Sequence, residues 1–172
     1  MKNRSTTNSR EKSVPENAFI VTKTDSKGRI AYANRLFLEL SGYQEGEILG
    51  KSHNVIRHPE MPRGIFKLLW DSIKSGQEFN GYIKNLCKDG GFYWVFANIT
   101  PSLKNGELLG YYSVRRKARD AALPQIQNLY QDMLAAEANV DTTEAVTASL
   151  SLLNSRLNQH SVSYDQYVLT LA

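Results

Sequence analysis

Residues 79–115 read FNGYIKNLCKDGGFYWVFANITPSLKNGELLGYYSVR, and two turns cut this run into three strands. Lys88-Asp89-Gly90-Gly91 is the first turn and Lys104-Asn105-Gly106-Glu107 is the second. Asn-Gly is a strong hairpin signal because a type I′ turn needs positive φ at both central residues. The segments 79–86, 92–100 and 108–115 are rich in the aromatic and β-branched residues that suit a pleated surface. Strands joined by turns this short pair antiparallel. Phe92 and Trp94 alternate with Tyr93 and therefore share one face of the sheet; the sequence leaves open which face that is.

Upstream, Ala18-Phe19-Ile20-Val21-Thr22 and Arg29-Ile30-Ala31-Tyr32-Ala33 flank the turn Asp25-Ser26-Lys27-Gly28 and form a second hairpin. Between the two strand blocks lie helices. Asn34 reads as the N-cap of a helix over 35–40, with Gly42 as its stop. Pro59 and Pro62 keep 44–61 in short turns and helical fragments. Ile65, Phe66, Leu68, Leu69, Trp70 and Ile73 give 63–75 the stripe of an amphipathic helix, closed by Gly76. The expected fold is α+β: a five-stranded antiparallel sheet with its helices on one face.

The flanks differ from this middle. Residues 1–16 are polar and rich in Ser, Thr and Asn, and read as a flexible tail. The expected domain is 17–119. Residues 120–172 form a helical extension with stripes at Ile126, Leu129, Tyr130, Met133 and Leu134, and at Val146, Leu150, Leu153 and Leu157. Each stripe needs a cover, either the chain itself or a partner helix.

Composition narrows the function classes. Of 172 residues, 41% are hydrophobic and 22% charged, the balance of a globular chain. The net charge of +4 is not gathered into a basic face or a nucleic-acid motif, which points away from nucleic acid. Cys87 is the only cysteine, so an intramolecular disulfide and a thiol-rich metal site are excluded. No apolar run is long enough to span a bilayer, and the polar start MKNRSTTNSREKS lacks the apolar stretch of a signal peptide; the expectation is a soluble, cytoplasmic protein without direct membrane insertion. No Gly-x-Ser-x-Gly elbow, Walker-type loop or zinc-ligand cluster points to an enzyme.

The run GKSHNVIRHPEMP at 50–62 carries the most specific pattern. With Tyr32-Ala33-Asn34, Leu40-Ser41-Gly42-Tyr43, Lys84-Asn85, Tyr93-Trp94-Val95, Ala97-Asn98 and Ser113-Val114-Arg115, it resembles the PAS domains of bacterial aerotaxis receptors over about residues 17–119. That resemblance implies a PAS fold, a bound FAD and a sensor that reports redox or energy state to a chemotaxis receptor, by contact or through its own dimer. It implies that Arg57 pairs with the pyrophosphate through its planar fork of donors. It places His58 against the flavin or its phosphate, and Asn34, Asn85 and Asn98 at the polar edges of the ring or ribityl chain. His53 and Trp70 complete the set, each with a plain alternative as a turn or core residue. Phe79 stands where family members commonly carry tryptophan in a Trp-x-Gly position; it keeps a flat wall but loses the indole donor. Glu60 stands where aspartate is common. Competing readings are FMN, an empty interaction pocket, or haem held by His53, His58 or His160. A cysteinyl-flavin photoreceptor would need a thiol just after Gly50-Lys51-Ser52, where His53 stands instead.

Overall fold

In the computed structural model, which describes residues 6–172, the chain follows the expected order. Strands β1 (Ile20–Asp25) and β2 (Ile30–Ala33) are followed by helices α1 (Arg35–Ser41) and α2 (Glu45–Ile48), a 3-10 turn at His53–Ile56 and helix α3 (Arg63–Lys74). Strands β3 (Phe79–Leu86), β4 (Phe92–Lys104) and β5 (Glu107–Lys117) come next, and then helices α4 (Leu123–Ala138), α5 (Ala145–Asn158) and α6 (Tyr164–Leu171). The five strands form one antiparallel sheet in the order β2-β1-β5-β4-β3.

Register fixes the two faces. Ile83, Ala97, Arg115 and Thr22 point inward, beneath α1 and α3, while Lys84, Trp94, Phe96 and Tyr112 point outward. Phe92 and Trp94 therefore lie on the outer face and Tyr93 on the inner one. Gly110 is needed where β5 crosses β1, because a Cβ there would run into the carbonyl oxygen of Thr24. Gly110→Ala is expected to cost about 1–3 kcal/mol, as overpacking does, and a urea midpoint equal to the parent's would contradict that reading of the crossing.

The described parts of both flanks are tied to the sheet domain. Of the tail over 1–16, residues 1–5 lie outside the described residues. Residues 8–14 do not hang free. Asn8 N donates to Gly90 O and Lys12 N to Phe92 O, Arg10 and Lys12 pair with Asp89, and Val14 is buried. Backbone hydrogen bonds to the β3–β4 hairpin hold a segment whose side chains are mostly polar. The apolar stripes of the extension are covered from within: Ile126, Leu129, Tyr130 and Met133 of α4 and Leu153 and Leu157 of α5 are all buried. The aromatic end of the chain is a third helix, opened by a Ser163/Gln166 capping box.

The extension and the 57–61 segment also close the open edge of β3. Tyr130 Oη donates to Tyr82 O at 2.8 Å, Lys84 N donates to Met61 Sδ at 3.2 Å, and Arg57 forms a β-bridge with Asn85. An edge strand left bare presents unpaired backbone groups to other chains.

Candidate functional site: a donor-lined cavity

Between the inner face of the sheet and α3 lies a cavity of about 640 Å³. Leu69, Trp70 and Ile73 of α3 face Ile83 and Ile99 of the sheet across it, so the walls are mainly apolar. Trp70 closes one end. Its ring meets Tyr111 edge-on at 5.7 Å, and a Cβ on Gly28 would lie 2.8 Å from it.

The polar part of the lining comes from the sheet. Asn85 Nδ2, Thr24 Oγ1, Ser113 Oγ, and Nε and Nη1 of Arg115 are buried with no hydrogen-bond partner among the described residues. Buried polar groups are nearly always paired, so five orphans in one cavity mark a place built for something polar. Arg115 is the strongest of them, a guanidinium 1% exposed. Its Nη2 donates to Thr22 Oγ1 at 2.6 Å, and its plane lies 5.4 Å from the Phe37 ring. No carboxylate bonds to it among the described residues. Burial pushes its pKa down, against a smaller opposing effect of Tyr93.

Thr22 passes this charge on. Its hydroxyl oxygen accepts from Arg115 and lies within hydrogen-bond distance of His53 Nε2, 3.0 Å away. His53 therefore sits one hydroxyl away from the guanidinium. Burial and then the Arg115 charge push its pKa down to about 3. On the solvent side, α3 adds the exposed cations Arg63, Lys67 and Lys74. Lys67 holds Asp71 at 2.5 Å, and Arg57 lies over the Phe66 ring at 4.1 Å while its Nη2 donates to Met61 O at 3.3 Å.

Of the residues expected at a binding site, Arg57, Asn85, His53 and Trp70 line the cavity, and His58, Asn34, Phe79 and Asn98 do not. His58 packs edge-on against Phe92 on the outer side of β3. Its Nδ1 accepts from Glu60 N at 3.2 Å, so its proton sits on Nε2, and burial followed by Lys84 pushes its pKa to about 4. Lys84 in turn holds the Glu60 carboxylate at 2.6 Å. Asn34 is the N-cap: its Oδ1 accepts from Phe37 N and Val21 N, and its Nδ2 donates to Phe19 O. Asn98 faces outward and donates to Glu78 and to Asn80 Oδ1. Phe79 belongs to the inner face, but Tyr164 of α6 stacks on it at 5.8 Å. Ser113 and Arg115 entered the sequence reading only as part of the resemblance and not as site residues, and Thr24 and the α3 cations did not enter it. Of the histidines, only His53 lines the cavity. Cys87 is buried outside it, with its thiol pushed up to about 11 by burial.

Comparison with known proteins agrees with this architecture. A family model for the PAS fold matches residues 30–115. The aerotaxis receptor of Escherichia coli K12 is 36% identical over 120 residues, 70% of this chain and 24% of that protein. The nitrogen fixation regulatory protein of Klebsiella pneumoniae is 31% identical over 104 residues, 60% of this chain and 21% of its own. The chain thus spans under a quarter of the length of these relatives. Among solved structures, a light-oxygen-voltage domain studied with a flavin analogue superposes with a TM-score of 0.56 at 22% identity, over 66% of this chain and 86% of that one. The light state of the aureochrome1 light-oxygen-voltage domain gives 0.54 at 24%, over 73% and 93%. No described helix is long and apolar enough to cross a membrane. With the sheet order, the helices over its inner face and the matched span all in agreement, the chain belongs to the PAS family.

Proposed function

We propose that this chain is a flavin-binding redox sensor that passes its state to a separate chemotaxis receptor, or through its own dimer, by protein contact. The observation that carries the reading is the set of orphaned buried donors, Asn85 Nδ2 with Nε and Nη1 of Arg115, on the wall of an apolar cavity. Donors without acceptors call for a ligand edge rich in carbonyl oxygens or unprotonated ring nitrogens, set in a flat apolar body. An isoalloxazine has that form. The volume lies within the roughly 300–1,000 Å³ usual for small-molecule sites.

Arg57, Arg63 and Lys74 supply cations for a phosphate-bearing tail, with Lys67 beside them on the Asp71 carboxylate. A diphosphate would use this many better than a monophosphate, and that favours FAD over FMN. When bound, the flavin supplies the electron transfer; the chain orients it and sets its electrostatics. Likeness to a protein named an aerotaxis receptor supports the sensing role. Cys87 stays outside the cavity, so light-driven adduct chemistry finds no thiol there.

The test is the absorbance spectrum of protein purified without added cofactor, followed by heat release and chromatography of what comes off. A flavin spectrum with FAD released is expected. Protein that stays colourless after reconstitution with FAD and FMN would overturn the reading, and a haem spectrum would replace it.

A further inference from the structure

One of the C-terminal helices reaches the cavity. Val146 of α5 is one of its lining residues, although it lies beyond the stretch that the PAS family model matches. One turn further on, Ser149 is fully buried against Gly64 of α3: a Cβ on Gly64 would lie 2.6 Å from Ser149 Oγ and 3.2 Å from Met133 of α4. Gly64 N also donates to Glu137 of α4 at 3.3 Å. The same helix α3 presents Phe66, Trp70 and Ile73 to the cavity. It is therefore a shared wall, with the cavity on one side and the extension on the other.

The extension reaches the sheet as well. Tyr164 of α6 covers the Phe79 end of the inner face, and a Cβ on Gly81 would lie 2.8 Å from its hydroxyl. Tyr164 and Tyr130 share a hydrogen bond at 3.0 Å, with Tyr130 donating to the β3 carbonyl of Tyr82. Asp165 accepts from Asn80 at 3.0 Å. Of α4–α6, Val146 reaches the cavity itself, while Tyr130, Tyr164 and Asp165 hold the extension to β3 beside it.

We infer that α4–α6 are a removable wall of the cavity, whose docking on Gly64 and the β3 edge closes the ligand space and whose release opens it. Two features make the wall releasable. Ser149 Oγ is buried without a partner at the centre of the α3–α5 seam, and a buried unpaired hydroxyl weakens the contact it sits in. The wall is also joined directly to the site: Arg115 lies two residues before the end of β5, and the buried Ala118 and Ala122 lead from there into α4. A ligand that draws on Arg115 shifts the strand from which the wall hangs. Linkage then requires that ligand and wall strengthen each other.

The test uses the full chain and needs no knowledge of the ligand, so it stands even where flavin binding fails. A cavity thiol is introduced as Ser113→Cys, and its alkylation by iodoacetamide is timed. Cys87 is buried with a raised pKa and gives a slow background, measured in the parent. Ser149→Leu, which forces bulk against Gly64, is then added. Limited proteolysis within 139–163 reports release of the wall. Alkylation at least fivefold faster, together with faster cleavage, is the expected result. Unchanged alkylation with cleavage accelerated would overturn the proposal, as would a wall that stays protected in both Ser149→Leu and a second variant, Leu153→Glu. If flavin is bound, its release should quicken by a similar factor. If Ser149→Leu fails to fold, Leu153→Glu alone carries the comparison.

Discussion

Replacing Arg115 with methionine is expected to lower flavin affinity by at least about 100-fold while leaving the ligand-free domain as stable as before or more so. Methionine keeps much of the length and fills the same space without a charge. In the ligand-free chain the guanidinium is fully buried, makes one hydrogen bond to Thr22 and leaves Nε and Nη1 without partners. Replacing a buried charge by a well-packed apolar side chain is often neutral or stabilising by about 1–4 kcal/mol. Ligand binding reverses the account. Each hydrogen bond from a charged donor contributes about 1.5–3 kcal/mol, and each 1.4 kcal/mol is about tenfold in affinity. Two such bonds lost therefore amount to about 100-fold or more. Arg115→Lys keeps the charge but loses the planar fork, and should fall between. Titration of apo-protein with FAD, beside urea unfolding of the same samples, measures both effects. If Arg115→Met destabilises the free domain and binds flavin as well as the parent, the guanidinium is a structural partner of Thr22 and Phe37 and not a ligand donor.

Arg115 also shows where sequence reading stops. The strands, their hairpins and the Asn34 cap are legible because each rests on local chemistry: Asn-Gly at a turn, alternation along a strand, a side-chain acceptor at a helix start. The face of a strand is not local. On β5, Tyr111, Ser113 and Arg115 alternate with Tyr112, Val114 and Arg116, and either set would serve as an inner face. Over 92–96 the outer face of β4 gives no polar signal, because Trp94 and Phe96 are buried there as Tyr93 and Val95 are on the inner face, Trp94 lying beside Val14 and Tyr130. The 57–58 pair fails for a related reason. Arg57 is extended after the 3-10 turn, so neighbouring side chains leave on opposite sides, and the cavity receives Arg57 while β3 receives His58. Phe79 was read on its own strand, but what decides its place is Tyr164, 85 residues later, stacked on its ring.

The histidines set a strong response to acid. His53 and His58 have pKa values pushed down to about 3 and about 4, in each case first by burial and then by a nearby cation, Arg115 or Lys84. An unfolded histidine takes its proton near pH 6.5. Above that pH both states are neutral at these positions and the fold keeps its full stability. As pH falls below it, the unfolded chain binds protons that the folded chain refuses, so stability drops until the folded rings themselves titrate. The window of loss runs from about pH 6.5 down to about pH 4 for His58 and about pH 3 for His53. A shift of one unit corresponds to about 1.4 kcal/mol. His53 and His58 both take stability from the fold over this range, the His58 share ending near pH 4 and the His53 share near pH 3. Glu60, whose carboxyl Lys84 holds below its usual range, adds a loss of the same sign. Urea midpoints at pH 7, 5.5 and 4 should fall steadily in the parent chain. His53→Gln keeps a hydrogen-bond partner for the Thr22 hydroxyl but has no proton to refuse, and its midpoint should fall less over the same range. A parent midpoint that holds from pH 7 to pH 4 would mean that the two rings take up protons inside the fold as readily as outside it, and would overturn this account.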